Sequence, residues 1–121
     1  MSIAFTSGEP SGIGPDIALI YAQQERHEDL LVYGDPDVLI NRAKLLNLPI
    51  SLKEHKTRKA NELSIYPIKT KSRVEPGKLN PDNSDYVLSL IRHATKDCVN
   101  KDCGGMLTGP INKAVINQSG I

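Results

Sequence analysis

The sequence predicts an α/β protein: an open, mixed and largely parallel sheet with helices on both of its faces. Short apolar runs alternate along the chain with segments of helical period, which is the order expected of strands joined by crossover helices. Only five of the 121 residues are aromatic, one Phe and four Tyr. The core is therefore aliphatic, as is usual for parallel strands that are buried on both faces.

The amino-terminal region predicts a strand, a glycine-rich loop and a helix. Residues 3–6 form the apolar strand and residues 8–14 the loop. Pro15 suits the first turn of the helix, because the N–H that it lacks would have no partner there. An amphipathic helix is indicated by side chains that recur at helical spacing: Ile17, Ile20, Tyr21 and Gln24.

A second strand–helix unit and two further strands follow. Residues 30–33 form a strand that Gly34 ends, Asp35 caps the next helix, and Pro36 occupies its first position. The helical stripe that carries this helix to about residue 46 comprises Val38, Leu39, Arg42, Leu45 and Leu46. Residues 50–53 and 63–68 predict strands, separated by a cationic loop over 55–59.

The last third predicts a long surface loop, a helix, a strand and a final helix. Residues 69–83 are rich in Pro, Gly, Lys and Asn, and Ser84 is a candidate cap for the helix that follows. Gly104 and Gly105 end this helix, residues 106–108 form a short buried strand, and a last helix runs from Pro110 to about residue 117. The clearest helical stripe in the chain precedes the two glycines: Val87, Leu90, Ile91, Ala94 and Cys98.

Composition and charge exclude several classes of protein. A formal net charge of +1 argues against nucleic-acid binding by bulk positive charge. The apolar runs are far shorter than the ~20 residues of a membrane-spanning helix, and no signal peptide is visible, so we expect a cytoplasmic protein. Two cysteines are too few for a disulfide scaffold. Metal ligation is not indicated by the residues most often used for it: His27, His55, His93, Cys98 and Cys103.

Two loops lie between a predicted strand and a predicted helix, where open α/β sheets bind ligands. The first covers residues 7–16, but its glycines do not match the dinucleotide or P-loop spacing. Glu9 and Asp16 would also repel a phosphate placed there. The spacing of the glycines alone favours a tight turn that needs glycine.

The second loop covers residues 108–113. Lys113 in a first helical turn opposes the helix dipole, which indicates an anionic neighbour or bound ligand, with a solvated lysine as the alternative.

Four blocks, taken together and in order, resemble the 4-hydroxythreonine-4-phosphate dehydrogenases of vitamin B6 biosynthesis. They are residues 5–16, residues 33–36 with 45–49, residues 76–81, and residues 107–113. The Gly-Ile-Gly-Pro segment by itself is shared with the wider isopropylmalate and isocitrate dehydrogenase group, whereas the ordered set is specific. Ser7, where a proline is usual, is a small departure.

The resemblance implies an isopropylmalate dehydrogenase-like fold, with two α/β domains around a cleft, and a homodimer. It also implies oxidation of the phosphorylated substrate 4-phosphooxy-threonine with NAD or NADP and a divalent metal ion (zinc, magnesium or cobalt). The β-keto acid product then loses CO₂ to give an amino-ketone phosphate. Six residues are candidates for the cleft, Lys113 as the anion contact: Gly8, Glu9, Gly12, Gly14, Thr108 and Lys113.

Family members are much longer than this chain, and their Gly-His-Thr segment and metal-binding histidines follow the block that contains Lys113. No histidine here matches those positions, so we assign no catalytic and no metal-binding residue. We expect residues 1–121 to be the amino-terminal portion of a two-domain dehydrogenase, inactive alone. One alternative is a truncated, non-catalytic paralogue that binds a phosphorylated ligand or a protein partner, and another is an unrelated nucleotide-binding α/β domain.

Overall fold

The computed structural model describes residues 2–71, 73–100 and 103–110. A five-stranded sheet, in the order β3-β4-β2-β1-β5, forms its centre, and every strand pairing in this sheet is parallel. The α/β prediction is confirmed. The strands are β1 (Ser2–Thr6), β2 (Asp29–Gly34), β3 (Ser51–Lys53), β4 (Glu62–Pro67) and β5 (Cys103–Thr108).

Helices cover both faces of the sheet, as predicted. They are α1 (Gly14–Tyr21), α2 (Pro36–Leu46) and α3 (Ser84–Val99). α1 and α2 pack on the face that carries Phe5 and Val32, while α3 packs on the face that carries Ala4 and Tyr33. Within the described residues, no helix is long and apolar enough to span a membrane.

The α2 helix begins where its sequence predicts, whereas α3 begins differently. The Asp35 side chain accepts a hydrogen bond from the Asp37 amide at 2.9 Å, and Pro36 follows as the first helical residue. Ser84 was predicted to cap α3, but it is the first residue of that helix. A 3-10 turn over Pro81–Asn83 runs directly into α3, so the chain is already helical before Ser84 and needs no side-chain cap there.

The α1 helix presents the opposite face from the one expected. Ile17, Ile20 and Tyr21 are 44%, 61% and 43% exposed, so the apolar stripe of the predicted amphipathic helix does not face the core. Ala18, Leu19 and Ala22 are fully buried instead. Gly14 abuts the carbonyl of Ser7, which fixes the start of the helix, and small side chains let the backbone lie close to the sheet.

The β5 strand is longer and more exposed than the short buried strand predicted over 106–108. It runs through Cys103–Thr108, so Gly104 and Gly105 lie in the strand and do not end the helix. Met106 is 37% and Leu107 is 55% exposed, because β5 is an edge strand of the described sheet. The predicted last helix falls mostly on residues 111–121, which lie outside the described residues.

Candidate functional site

Three separate parts of the chain meet at the carboxyl end of β1. The loop over residues 7–13, called here the glycine-rich loop, follows this strand directly. The Glu9 amide donates to the Pro110 carbonyl at 2.9 Å, and the Gly77 amide donates to the Ser11 carbonyl at 2.8 Å. The end of β5 and the loop after β4 are thereby joined to the glycine-rich loop by backbone hydrogen bonds.

Two glycines are required by the tightness of this junction. Gly8 has a φ of +73°, in the left-handed region that disfavours other residues, and a Cβ there would lie 2.8 Å from the carbonyl carbon of Gly109. A Cβ on Gly14 would collide with the carbonyl oxygen of Ser7. These contacts support the interpretation of the loop as a tight strand-to-helix turn that needs glycine.

Glu9 lies inside the loop and accepts hydrogen bonds from it. The side chain is 6% exposed, and its Oε1 accepts from Ser11 Oγ at 3.0 Å and from the Ser11 amide at 3.4 Å. The Gly12 amide donates to the Glu9 carbonyl at 3.0 Å. The amides of residues 9, 11 and 12 are therefore engaged within the chain, and a buried carboxylate lies beside them. This arrangement does not form a phosphate cradle of the kind that free loop amides provide.

Arg42 holds the glycine-rich loop from the neighbouring helix α2. Its side chain is 5% exposed. Nη1 donates to the Gly12 carbonyl at 2.8 Å and to Asp16 Oδ1 at 2.7 Å, while Nη2 donates to the Pro10 carbonyl at 2.9 Å. A guanidinium group suits this task because its donors have a fixed, planar geometry.

In the sequence, Arg42 belongs to the helical stripe predicted for α2, and that pattern by itself indicates no function. The predicted stripe is only partly correct, because Leu39 and Arg42 are buried whereas Leu45 and Leu46 are 65% and 39% exposed. An arginine within a predicted core-facing stripe was the available signal. A buried charge needs a partner, so a carboxylate elsewhere was required. Its identity as Asp16 depends on the packing of α1 against α2, which the pattern does not specify.

Tyr86 of α3 joins a second buried network beneath the loop. Its hydroxyl accepts from the Asp35 amide at 2.9 Å and lies 3.4 Å from Ser7 Oγ. A Cβ on Gly34 would lie 2.9 Å from that Oγ and 3.3 Å from the tyrosine oxygen. Burial raises the pKa of Tyr86 to about 12, against the opposing effect of the hydrogen bonds from Ser7 and Asp35. The phenol therefore stays protonated at neutral pH.

Asp35 connects this network to the loop after β4. Beyond capping α2, its Oδ2 accepts from the Thr70 amide at 2.9 Å and from Thr70 Oγ1 at 3.2 Å. Lys69 Nζ donates to Asp37 at 2.7 Å, and this hydrogen bond raises the pKa of the exposed Lys69 ammonium. The start of the loop over residues 69–80 is thus fixed to the amino-terminal end of α2.

Of the six predicted site residues, five lie at this edge. Thr108 pairs in register with Thr6 at the ends of β5 and β1 and is exposed. Buried Thr6 Oγ1 has no hydrogen-bond partner in the described part of the chain. Lys113, predicted as the anion contact, lies outside the described residues. The glycine-rich loop and the helix start after it supply the other four: Gly8, Glu9, Gly12 and Gly14.

A metal ion finds no ligand set within residues 2–71, 73–100 and 103–110. No group of three His, Cys, Asp or Glu side chains lies close enough together there to hold one. His27 and His55 are exposed, and His93 packs against Tyr66 with ring centroids 5.5 Å apart. The described residues thus do not fit the divalent metal that the resemblance implies.

Residues 26–121 match the protein family described as pyridoxal phosphate biosynthetic protein PdxA. The 4-hydroxythreonine-4-phosphate dehydrogenase of Yersinia pseudotuberculosis is 39% identical over 125 residues, covering 98% of this chain and 38% of that protein. The enzyme of the same name from Saccharophagus degradans is 40% identical over 124 residues, covering 98% and 37%. The chain spans less than two-fifths of the length of either relative.

Solved structures share the fold. The 4-hydroxythreonine-4-phosphate dehydrogenase of Klebsiella pneumoniae superposes with a TM-score of 0.86 at 22% identity, over 98% of this chain and 39% of that one. A terephthalate 1,2-cis-dihydrodiol dehydrogenase from Burkholderia xenovorans gives 0.79 at 22% identity, over 100% and 37%. The α/β fold implied by the four sequence blocks is confirmed, and the chain belongs to the PdxA family.

Proposed function

We propose that this chain forms the amino-terminal portion of a two-domain, homodimeric and cytoplasmic dehydrogenase that oxidises 4-phosphooxy-threonine. NAD or NADP accepts the hydride and the β-keto acid product loses CO₂, giving an amino-ketone phosphate. One observation carries the proposal: in a chain of the PdxA family, the glycine-rich loop and the end of β5 meet at the carboxyl edge of a parallel sheet. Ligands of open α/β sheets bind at such edges.

The chain's own contribution is a rigid wall of the substrate cleft. Glu9 and the loop backbone are held by Ser11, Arg42 and Pro110, so the loop enters the reaction already ordered and loses little conformational freedom on binding. We assign Gly8, Glu9, Gly12, Gly14 and Thr108 to the border of this cleft. Lys113 follows Thr108 by five positions, and its ammonium would complement the substrate phosphate.

The hydride acceptor and the metal ion belong to the remaining length of the enzyme. When bound, a divalent metal would supply Lewis-acid chemistry, and NAD or NADP would serve as the hydride acceptor. The described residues offer no ligand set for the metal. We expect the 121-residue chain alone to show no turnover, because no histidine in its sequence matches the metal-binding positions that the resemblance implies.

A chimeric enzyme tests this proposal. Residues 1–121 replace the matched 125 residues of the Yersinia pseudotuberculosis enzyme, and formation of NADH or NADPH is followed with 4-phosphooxy-threonine and magnesium, zinc or cobalt. We expect turnover by the chimera and none by the isolated chain. In the chimera, Lys113→Ala raises KM, whereas Lys44→Ala, at an exposed position on α2, leaves KM unchanged.

Two results would overturn the proposal in different ways. A folded chimera without turnover contradicts the assignment of this chain to the catalytic cleft. If, in addition, a phosphorylated ligand raises the melting temperature of the isolated chain, the non-catalytic paralogue is favoured instead. Turnover by the isolated chain would contradict its expected inactivity.

A further inference from the structure

The cationic loop over residues 55–59 lies at the amino ends of the strands, called here the amino edge of the sheet. This loop precedes β4, and residues 25–28 precede β2. Because β2 and β4 are parallel neighbours, the two segments lie side by side. The glycine-rich loop follows the carboxyl end of β1, which is parallel to β2. The charges of the cationic loop are therefore at the opposite edge of the sheet, and the proposed reaction gives them no role.

Buried side chains fix the cationic loop at its centre. Thr57 is 7% exposed, and its amide donates to Asp29 Oδ1 at 2.9 Å. The Thr57 hydroxyl donates to Glu62 Oε1 at 2.7 Å. Asp29 is itself 5% exposed and begins β2. The backbone of the loop is thereby attached to a buried carboxylate of the sheet.

Arg26 attaches the loop from the segment before β2. Its amide donates to the Arg58 carbonyl at 2.9 Å, and its Nη2 donates to the Glu62 carbonyl at 2.6 Å. Arg26 is 7% exposed, and its buried Nε has no hydrogen-bond partner within residues 2–71, 73–100 and 103–110. A buried charge costs free energy unless it is paired, and here two buried charged residues, Asp29 and Arg26, hold one surface loop. The loop is therefore ordered before any ligand binds, which lowers the entropic cost of binding.

The exposed side chains of the amino edge surround two adjoining cavities. The cavities measure about 410 and 690 Å³, and His27 and Arg58 line both of them. Lys56 lines the smaller cavity and Lys59 the larger one. None of the exposed cations Lys56, Arg58 and Lys59 forms a salt bridge with a carboxylate of the described residues. Their charges are available to an anion.

Two acidic residues of the same region limit the class of anion. Glu28 lines the smaller cavity and Glu25 the larger one, and both are exposed. An extended polyanion such as RNA would run past these carboxylates, and a formal net charge of +1 supplies little long-range attraction for it. A compact anion contacts the cations alone. Phosphate groups fit, because a guanidinium donates to two of their oxygens at once and an ammonium adds a point charge.

We propose that the amino edge binds a small molecule that carries two phosphate groups. The shared residues His27 and Arg58 connect the cavity of Lys56 with that of Lys59, so each cavity offers one phosphate position. A free diphosphate and a nucleoside diphosphate both present this chemistry. The proposal is independent of the reaction assigned above, because it rests on contacts at the opposite edge of the sheet.

Calorimetric titration of pyrophosphate into the full 121-residue chain, at pH 7 and constant ionic strength, tests the site. We expect saturable 1:1 binding, and binding of inorganic phosphate that is weaker by about tenfold or more, because it fills only one position. Arg58→Gln/Lys59→Gln removes two contacts and weakens pyrophosphate binding by about tenfold or more. ADP is titrated in parallel. Binding of ADP as tight as that of pyrophosphate supports a nucleotide as the natural source, and binding of pyrophosphate alone supports the free anion.

Lys44→Gln/Lys96→Gln is the charge-matched control. It removes two positive charges from exposed positions on α2 and α3, so we expect the affinity for pyrophosphate to be unchanged. Thermal melts of each variant without ligand separate a lost contact from a lost fold. If Arg58→Gln/Lys59→Gln does not fold, Lys56→Gln in the adjoining cavity takes its place.

Four results would overturn the proposal. The first is absence of saturable pyrophosphate binding, and the second is equal weakening by the control pair, which would assign the binding to bulk charge. The third is loss of binding in Lys113→Gln but not in Arg58→Gln/Lys59→Gln, which would assign the anion to the loop that follows β5. The fourth is binding of hexaglutamate or of a single-stranded oligonucleotide more tightly than pyrophosphate, which would assign the amino edge to a macromolecule.

Discussion

The carboxyl edge of the sheet differs from a second surface, called here the apolar face, in how its side chains are satisfied. The apolar face consists of the exposed apolar side chains before and along α1 and on β5: Ile13, Ile17, Ile20, Tyr21 and Leu107. At the edge, the polar side chains of Glu9, Asp35 and Arg42 are at most 6% exposed, and each has hydrogen-bond partners within the chain. On the apolar face, Ile20 and Leu107 are more than half exposed.

This difference separates the regions that determine stability from those available for binding. A buried polar group without its partner costs free energy, so each bond at the edge constrains the fold. An exposed apolar side chain contributes little to the free energy of unfolding until another surface covers it. We therefore expect substitutions at the edge to act on the free energy of unfolding, and substitutions on the apolar face to act on association.

Arg42→Ala has the largest expected effect on stability. It leaves two loop carbonyls and the Asp16 carboxylate, whose side chain is 28% exposed, without their donor, and each buried acceptor left unpaired costs about 1–3 kcal/mol. Urea denaturation of the 121-residue chain measures the loss. Arg42→Lys keeps the charge but not the planar set of donors, so its unfolding free energy should lie between those of the alanine variant and the parent.

Lys44→Ala on the same helix is the control, and its free energy of unfolding should lie within about 0.5 kcal/mol of that of the parent. Equal effects of the two alanine variants would show that Arg42 does not hold the loop.

Gly14→Ala comes next. The added methyl group collides with the Ser7 carbonyl, and since backbone must move to relieve this, we expect a loss of about 1–3 kcal/mol. Gly105→Ala is the matched control, because its methyl group enters open space; the reduced freedom of the unfolded chain makes it neutral or slightly stabilising. Thermal melts compare the two. A Gly14→Ala variant as stable as Gly105→Ala would contradict the tight turn.

Tyr86→Phe removes the acceptor of the Asp35 amide and leaves that buried N–H unpaired, at a cost of about 1–2 kcal/mol near neutral pH. Urea denaturation at pH 7 measures it. Ser89→Ala, at a half-buried position on the same helix, controls for general effects on α3. A Tyr86→Phe chain of parental stability would show that the network contributes nothing at this edge.

The same variant makes a prediction about alkaline pH. The folded pKa of Tyr86, about 12, lies above its ordinary value of 10.0, so the unfolded chain loses this proton first. The stabilisation from Tyr86 is fully present below pH 10 and is lost as the pH rises from 10 to 12, by an amount on the order of 2 kcal/mol. Tyr86→Phe removes this part of the alkaline destabilisation. Parallel stability curves for the two chains between pH 9 and 12 would contradict the raised pKa.

Local signals in the sequence predicted the elements, and the structure shows why they sufficed. Asp35 and Pro36 begin α2 through contacts within two residues, and the apolar runs of β1 and β2 are contiguous. The glycine-rich loop was also predictable as a tight turn, since Gly8 and Gly14 are required by neighbouring backbone. These features depend on residues that are close together in the chain.

The features that the sequence did not reveal depend on distant pairs. Arg42 reaches carbonyls 30 and 32 residues away, and Tyr86 meets Ser7 across 79 residues. The apolar stripe of α1 is a related case: Ile17, Ile20 and Tyr21 are apolar, but apolarity alone does not show whether a side chain faces the core or the outside. In the described part of the chain, Ile17 and Tyr21 of this stripe line a cavity together with Leu107 of β5, and this follows from the placement of β5 beside α1.

Leu107→Gln and Ile17→Gln should have the smallest effect on stability, within about 0.5 kcal/mol for exposed positions. Both variants, however, reduce the apolar surface open to solvent, so binding of the fluorescent probe ANS to the folded chain should fall in each. Leu45→Gln on α2 removes an equally exposed leucine outside the cavity and should lower ANS binding less. If the three variants lower ANS fluorescence equally, the apolar face is not a distinct surface. If Leu107→Gln costs as much stability as Gly14→Ala, then Leu107 already belongs to the core, and the contrast between the edge and the face is wrong.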